Sequence, residues 1–257
     1  MTEKEWEDMC DVVSDMMTIY TRPYVAILAG GTTGKPPEIG TGTFIEKDGI
    51  QLLTCEHVSR SNPTAFYNDD SGSRKLEPNI WCAEAALNKD VAIAPVPGAD
   101  WSSVSSSAQP LPLSNFAQRH TTVERELLFF RGIGGENAYI SDYGADAILT
   151  GYCSQEKLET GDSDIFEILW NPNATTISSG TRKDARARIK FNNPAGFSGS
   201  LVWNTRFVEL GCDFEKWSPG KAVVTGLLRR FDDTTETLLA WRVEHVQSWL
   251  TEPPGVA

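Results

Sequence analysis

About a dozen short runs of β-branched and aromatic residues follow one another along this chain, separated by turns rich in glycine and proline. The runs are Tyr24–Ala29, Thr41–Glu46, Ile50–Thr54, Ile80–Ala83, Val91–Pro95, Leu127–Arg131, Ala147–Tyr152, Ile165–Trp170, Ala187–Phe191, Ser200–Trp203, Ala222–Leu228 and Thr237–Trp241. Many short strands at this spacing, with little helix between them, are typical of sandwiches and barrels. The sequence therefore predicts an all-β protein.

The two ends of the chain depart from this pattern. Residues 3–19 carry apolar side chains at helical spacing with acidic residues between them, which predicts an amphipathic helix. A second helix is predicted over Val243–Leu250, because Pro253 and Pro254 follow it. The β-rich part thus lies between a helix at each end.

A stretch from Pro97 to Thr122 is rich in Ser, Pro and Gln and shows no periodic pattern. Such a segment is long for a loop within one compact unit, so we interpret it as a crossover between two β-domains. The predicted organisation is a helical extension over residues 1–22, a first β-barrel over 23–110, and a second β-barrel with the C-terminal helix over 111–257.

Composition excludes several classes of function. The net charge of −12 disfavours binding to nucleic acid. No apolar run is long enough to cross a membrane, and the acidic N-terminus is unlike a signal peptide, so we expect a cytoplasmic protein. The five cysteines are an odd number and widely spread, which predicts free thiols. With three histidines in the chain, we expect no metal site.

Two segments in the first half of the chain carry candidate catalytic side chains. Leu52-Leu-Thr-Cys-Glu-His-Val58 places His57 at the exit of a predicted strand, where a barrel rim would present it. Asp90 directly precedes the apolar strand Val91–Ala94, so its carboxylate needs a hydrogen-bonding partner. A histidine N–H could be that partner, and a turn in which Asp90 caps local amides would have the same sequence.

The third segment is Asn192-Asn-Pro-Ala-Gly-Phe-Ser-Gly-Ser-Leu-Val202, in which glycines stand on both sides of Ser198. Glycines allow a tight turn that exposes adjacent backbone N–H groups, and convergent N–H groups are what a tetrahedral oxyanion requires. A plain glycine-serine turn between strands is the alternative.

Taken together in the order His, Asp, Ser, these segments resemble the trypsin-like (chymotrypsin-fold) serine peptidases, in the manner of bacterial intracellular members. Leu53-Thr-Cys-Glu-His-Val58 is similar to the family's L-T-A-A-H-V, and Lys89-Asp-Val-Ala-Ile93 is similar to x-D-I-A-L. Ala195-Gly-Phe-Ser-Gly-Ser-Leu-Val202 is similar to G-x-S-G-G-P-L. The similarity extends over nearly the whole chain after residue 24.

The resemblance implies two six-stranded antiparallel β-barrels with the active site between them. His57 and Asp90 would come from the first barrel and Ser198 from the second, and the backbone N–H groups of Gly196 and Ser198 would form the oxyanion hole. Such an enzyme needs no cofactor. Its substrate would be a protein or peptide, and in the cytoplasm we expect narrow specificity or a regulatory protein partner.

The chain departs from the family pattern around the nucleophile. Phe197 stands where animal digestive members carry an aspartate that pairs with a newly cut N-terminus. The oxyanion loop must therefore be ordered in another way, or be unformed until a substrate or a partner binds. Ser200 replaces a glycine. By the family's spacing the substrate pocket would be formed by Asn192, Asn193, Thr225 and Gly226, which are uncharged, so we expect cleavage after uncharged residues.

Other interpretations are weaker. An α/β-hydrolase would use Ser198 with Asp213 or Asp232 and His245, but the elbow lacks its last glycine and a strand follows it. The glycine-rich stretch from Ala29 to Pro36 lacks the spacing of a phosphate loop. A protein that keeps the peptidase fold for binding or scaffolding, without turnover, is the alternative from a different class of function. The N-terminal helix would either dock a partner or cover a barrel edge.

Overall fold

The computed structural model describes residues 2–31, 38–69, 72–78, 80–86, 89–103, 107–141, 144–158 and 161–252. The chain begins with helix α1 (Glu3–Thr21), which Thr2 caps in a capping box with Glu5. One face of α1 is buried through Val13 and Met17, as the helical spacing predicted. No helix within these ranges is long and apolar enough to cross a membrane.

The first sheet is built from the strands β1 (Val25–Gly30), β2 (Glu38–Glu46), β3 (Ile50–Thr54), β4 (Thr64–Asp69), β5 (Gly72–Leu76), β6 (Cys82–Glu84), β7 (Val91–Pro95) and β8 (Leu111–Pro112). Helices α2 (Glu56–Ser59) and α3 (Gly98–Ser103) lie in its connections. Its order is β5-β4-β1-β2-β3-β7-β6, all antiparallel, and the short β8 pairs with β2 in parallel. β5 and β6 are the two edge strands of this sheet and follow each other in the chain, so one short connection joins the two edges.

The second sheet uses β9 (Leu128–Gly132), β12 (Thr150–Ser154), β13 (Glu156–Lys157), β14 (Ile165–Leu169), β15 (Leu201–Asn204), β16 (Val223–Asp232) and β17 (Thr237–Arg242). The strands β10 (Ala138–Ser141) and β11 (Gly144–Ala147) form a separate hairpin. The last helix of the described residues is α5 (Val243–Thr251), and the short α4 (Lys183–Arg186) precedes it.

The second sheet closes on itself. Its order is β12-β9-β15-β16-β17-β14-β13, and only Gln155 separates β12 from β13. The segment 150–157 therefore pairs with β9 on one side and with β14 on the other, which makes six strands around a closed barrel. Apolar side chains fill it, including Phe130, Phe166 and Trp170.

The predicted fold class is confirmed: the protein is all-β, with two antiparallel barrel-like sheets and a helix at each end. The prediction of a strand at Ala187–Phe191 is wrong. That segment follows α4 and has no strand assignment, because the neighbouring barrel strands already pair with one another. The chain passes from one sheet to the other between β8, which pairs with β2, and Phe116, which bridges to Val224 of β16.

Helix α1 packs on the second sheet, and Asp11 and Asp15 near its middle bind a distant loop. The Asp11 carboxylate accepts the Ser179 N–H at 3.0 Å, and the Asp15 carboxylate accepts the Gly180 N–H at 2.7 Å. The helix therefore ties residues 178–180 to the barrel, in the segment that leads toward Ser198.

Candidate active site

His57 lies at the start of α2, directly after β3. Cys55 is the N-cap of this helix and has an extended backbone, so the chain turns sharply between the buried strand and the helix. This turn leaves the His57 side chain 39% exposed at the rim of the first sheet. The histidine is therefore held on a rigid element and remains accessible from solvent.

Asp90 fixes both the backbone and the ring of His57. Its Oδ1 accepts the His57 backbone N–H at 3.0 Å, and the ring Nδ1 lies 3.0 Å from Oδ1 and 2.9 Å from Oδ2. Because a carboxylate only accepts, Nδ1 is the donor, and in the neutral ring Nε2 keeps its lone pair. Asp90 has a left-handed backbone with φ of 46°, a conformation that Asp tolerates better than most residues. Burial alone would raise the pKa of Asp90, but the hydrogen bonds from His57 and the nearby Arg229 charge outweigh it, so the pKa lies below its usual value.

Ser198 is partly exposed, and the chain around it is pressed against the first sheet. Thr41 of β2 donates its N–H to the Ser198 carbonyl at 2.9 Å. Gly199 has φ of 90°, and a Cβ there would lie 2.0 Å from the Thr41 carbonyl oxygen. Only glycine fits this close approach, which explains the residue after the serine.

One carbonyl connects the segments that carry His57 and Ser198. The Leu228 oxygen of β16 accepts the Gly199 N–H at 2.8 Å and the Cys55 thiol at 3.3 Å. Gly199 follows Ser198 directly, and Cys55 precedes His57 by two residues, so this atom brings both segments to the same place. The hydrogen bonds of the described residues include none between Ser198 Oγ and His57, and in free enzymes such bonds are often long.

The loop before Ser198 forms a tight turn. The Phe197 N–H donates to the Pro194 carbonyl at 3.2 Å, and Gly196, the third residue of the turn, has φ of 101°. A positive φ at this position defines a type II turn and needs glycine. The Ala195 carbonyl in the middle of the turn accepts the Gly135 N–H at 2.7 Å.

This bond also sets the direction of the Gly196 N–H. In a trans peptide the C=O and N–H point in opposite directions, and the Ala195 carbonyl shares its peptide unit with the Gly196 nitrogen. With the carbonyl held by Gly135, the N–H must point away from residue 135. Among the residues that the structure describes, neither the Gly196 nor the Ser198 N–H has an acceptor.

Thr41 hydrogen-bonds to the loop before Ser198 and to the segment that follows β9. Its hydroxyl donates to the Gly196 carbonyl at 2.8 Å and accepts the Ile133 N–H at 3.1 Å. Its own carbonyl accepts the Thr54 hydroxyl at 2.7 Å. All of these groups are buried, so they depend on one another for hydrogen bonds.

Phe197 anchors the loop by burial. It is 1% exposed and lies edge-on to Phe130, with ring centroids 5.2 Å apart, and against Trp170 at 6.0 Å. An aspartate at this position would need a buried charged partner. The loop is thus held here by an aromatic contact and by backbone hydrogen bonds.

The predicted pocket residues fall in two different environments. Asn192 and Asn193 are exposed, and the Asn193 N–H binds Glu136 at 2.7 Å. Thr225 is 1% exposed and its hydroxyl binds His120 Nδ1 at 2.7 Å. A Cβ on Gly226 would lie 2.6 Å from the Phe166 ring.

Thr225 and Gly226 are thus packed inside the barrel, and the residue of β16 that hydrogen-bonds to Gly199 is Leu228. That the four residues line a substrate pocket stays a prediction.

A group of possible metal ligands coincides with the predicted triad. Cys55 Sγ and the nearest ligand atoms of His57 and Asp90 lie within 4.8 Å of one another. The Cys55 thiol is fully buried, and burial followed by the Asp90 charge raises its pKa well above the usual value. A protonated thiol and a carboxylate already bonded to His57 are poor metal ligands, so these residues suit their own hydrogen bonds better than an ion.

Three residues near the site were not found from the sequence. Thr41 and Gly135 hydrogen-bond to the loop that precedes Ser198. Arg229 lies beside Asp90, with its Nε 3.8 Å from Asp90 Oδ2. Each lies far from its partner along the chain, so no local pattern marks it.

The solved structures that resemble this chain share one fold. No protein-family model matches the chain, and no curated protein matches its sequence. Among solved structures, the active form of the Rv3671c protease from M. tuberculosis superposes with a TM-score of 0.59 at 17% identity, over 96% of this chain and 87% of that one. HL collagenase gives 0.57 at 14% identity, over 92% and 96%.

A serine endoprotease from Yersinia pestis gives a TM-score of 0.53 at 14% identity, over 93% of this chain and 65% of that one. At these identities the likeness concerns the fold alone. The chain has two antiparallel barrel-like sheets and a C-terminal helix α5, and it superposes on these structural neighbours. It therefore has the fold of the chymotrypsin-like serine proteases.

Proposed function

We propose that this protein is a serine endopeptidase that uses Ser198, His57 and Asp90 as its catalytic triad. The observation that carries the proposal is the geometry of Asp90, which accepts hydrogen bonds from both the backbone and the ring of His57. This arrangement leaves Nε2 as a base on the exposed side of the ring. Ser198 is the accessible nucleophile whose backbone is fixed to the same sheet.

The reaction follows from these positions. Ser198 Oγ attacks the scissile carbonyl while His57 Nε2 takes its proton, and Asp90 stabilises the imidazolium that forms. The C–N bond then breaks as His57 returns the proton to the leaving amine, which leaves an acyl-enzyme on Ser198. A water molecule, deprotonated by His57, hydrolyses this ester and releases the second product.

The Gly196 and Ser198 N–H groups are the proposed oxyanion hole. Each such donor is worth about 3–4 kcal/mol in the transition state. Support comes from the type II turn at Gly196 and from the Gly135 bond that directs its N–H. Because Phe197 is buried among aromatic rings, we infer that the loop is ordered without a newly cut N-terminus.

Specificity is proposed to favour uncharged residues before the cleaved bond. Asn192 and Asn193, which are predicted to line the pocket, are uncharged and so supply no carboxylate that would attract lysine or arginine. A peptide library should therefore show no enrichment of these two residues. A profile dominated by them would contradict this part of the proposal.

We propose the cytoplasm as the place of action, because all five cysteines are free. Narrow specificity or a regulatory protein partner would be needed there. Helix α1 is a candidate for docking such a partner, since Ile19 is 74% exposed on it.

The proposal is tested by a map of new N-termini in a proteome exposed to the protein or to Ser198→Ala. We expect cleavage sites that appear only with the unchanged protein. If both proteins give the same map, and natural partners do not change this, the alternative of a binding or scaffold protein with this fold would replace the enzyme.

A further inference from the structure

Arg229 occupies an irregular position in β16. Along the β16–β17 ladder, Leu228 pairs with Ala240 and Arg230 pairs with Leu239, so Arg229 is the extra residue of a β-bulge. A bulge turns a side chain away from the alternation of the strand and is common beside active sites. Here it directs a charged side chain inward while Arg230 is exposed.

The side chain of Arg229 ends beside the triad. It is 6% exposed, and its Nε lies 3.8 Å from Asp90 Oδ2. Burial lowers the pKa of Arg229, and the Asp90 and Cys55 groups oppose that effect. Arginine keeps its proton in proteins, so a positive charge is fixed next to the catalytic carboxylate.

We propose that Arg229 is a positioning residue of the triad that offsets part of the Asp90 charge and so limits how strongly His57 holds a proton. This inference rests on the proposed function. Asp90 alone would favour the imidazolium and would keep His57 protonated, and thus useless as a base, at higher pH. The fixed guanidinium acts in the opposite direction.

The other charges around the site do not replace Arg229. Glu56 is bonded to Arg60 at 2.9 Å, and the Cys55 thiol is neutral. Arg230 and Asp162, whose charges also act on Arg229, are exposed and face solvent, where screening is strong. Arg229 is the buried cation that the described residues bring against Asp90.

The expected effect follows from Coulomb's law. At an effective dielectric constant near 20, a charge beside the partner of a titrating group shifts the titration of that group by about one to two pH units. His57 is partly exposed, so we expect about one unit. Removing the Arg229 charge should therefore move the pH at which His57 gains its proton upward by about one unit.

The test uses the full chain with ¹⁵N-labelled histidine, and compares the unchanged protein with Arg229→Met, Arg229→Gln and Arg229→Lys. The chain has three histidines, so the His57 signals are identified by their loss in His57→Gln. We expect the His57 signals to titrate about one pH unit higher in the Met and Gln variants, and near the original pH in Arg229→Lys. The two neutral variants differ in polarity, so one of them can serve if the other fails to fold.

A second readout is the rate of Ser198 labelling by a fluorophosphonate as a function of pH. In the neutral variants the acidic side of this pH–rate profile should move to higher pH by the same amount. At a fixed pH on that side, labelling should then be about tenfold slower. An unchanged His57 titration in a folded neutral variant would overturn the inference. If His57 shifts as expected while no protein is labelled at any pH, the electrostatic role stands and the proposed peptidase function fails.

Discussion

Replacing Thr41 by valine removes one hydroxyl and keeps the shape of a side chain that is fully buried. The hydroxyl donates to the Gly196 carbonyl and accepts the Ile133 N–H, so Thr41→Val leaves two buried polar groups without partners. Each costs about 1–3 kcal/mol, so the two together lower the free energy of unfolding by about 2–6 kcal/mol. For a chain of this length the corresponding fall in Tm is roughly 4–24 °C.

The same change should slow the acylation step more than it weakens substrate binding. Without the hydrogen bond to the Gly196 carbonyl, the turn that directs the Gly196 N–H is less well fixed. Losing one oxyanion donor slows acylation about 10²-fold to 10³-fold. The assay is the second-order rate of fluorophosphonate labelling at a temperature where both proteins are folded, with Tm measured on the same samples.

Thr41→Ser is the matched control, because it keeps the hydroxyl and removes only a methyl group. We expect it to lose about 1 kcal/mol of stability and to label at nearly the original rate. If the serine and valine variants label equally fast, Thr41 does not order the oxyanion loop and that part of the account is refuted.

Three further predictions concern single residues. Gly199→Ala should abolish labelling and lower Tm, because its Cβ would meet the Thr41 oxygen at 2.0 Å. Gly211→Ala has open space around it and bears only the strain of its φ of 80°, so it should lower Tm less; similar effects on Tm would contradict the close packing. Phe197→Ala should cost about 3–5 kcal/mol in chemical denaturation and slow labelling, and Phe197→Leu should cost much less; equal losses would argue against the aromatic anchor. Because the pKa of Asp90 lies below its usual value in the folded state, its ionised form adds stability above the unfolded pKa of about 3.9, and this is lost as pH falls through the folded pKa. The difference in unfolding free energy between the unchanged protein and Asp90→Asn should therefore shrink on acidification from about pH 5, and a constant difference would contradict the assignment.

The sequence predicted those parts of the site that depend on local patterns. His57 and Ser198 are flanked by several residues that match a strand exit and a glycine turn, and the structure places both at such positions. Asp90 had two interpretations, and its carboxylate accepts the backbone and ring N–H groups of His57, 33 residues away, rather than capping local amides. The two terminal helices were clear from their apolar spacing.

What the sequence did not show depends on contacts between distant segments. The bonds from Thr41 to Gly196 and from Gly135 to Ala195 join residues of different strands and loops, and no local spacing encodes them. The bulge at Arg229 changes the register of β16 by one residue, which a sequence match to a regular strand cannot follow. The strands β4 and β5 were also missed. β5 is short and polar, and it becomes a strand by pairing with β4, which itself pairs with β1.

The most direct test of the account is the identity of the residue that a fluorophosphonate modifies. We expect a single adduct per chain, located by mass spectrometry on Ser198, absent in Ser198→Ala and strongly reduced in His57→Gln. An adduct on another residue, or equal labelling of the Ser198→Ala protein, would contradict the claim that Ser198 is the nucleophile of a working triad.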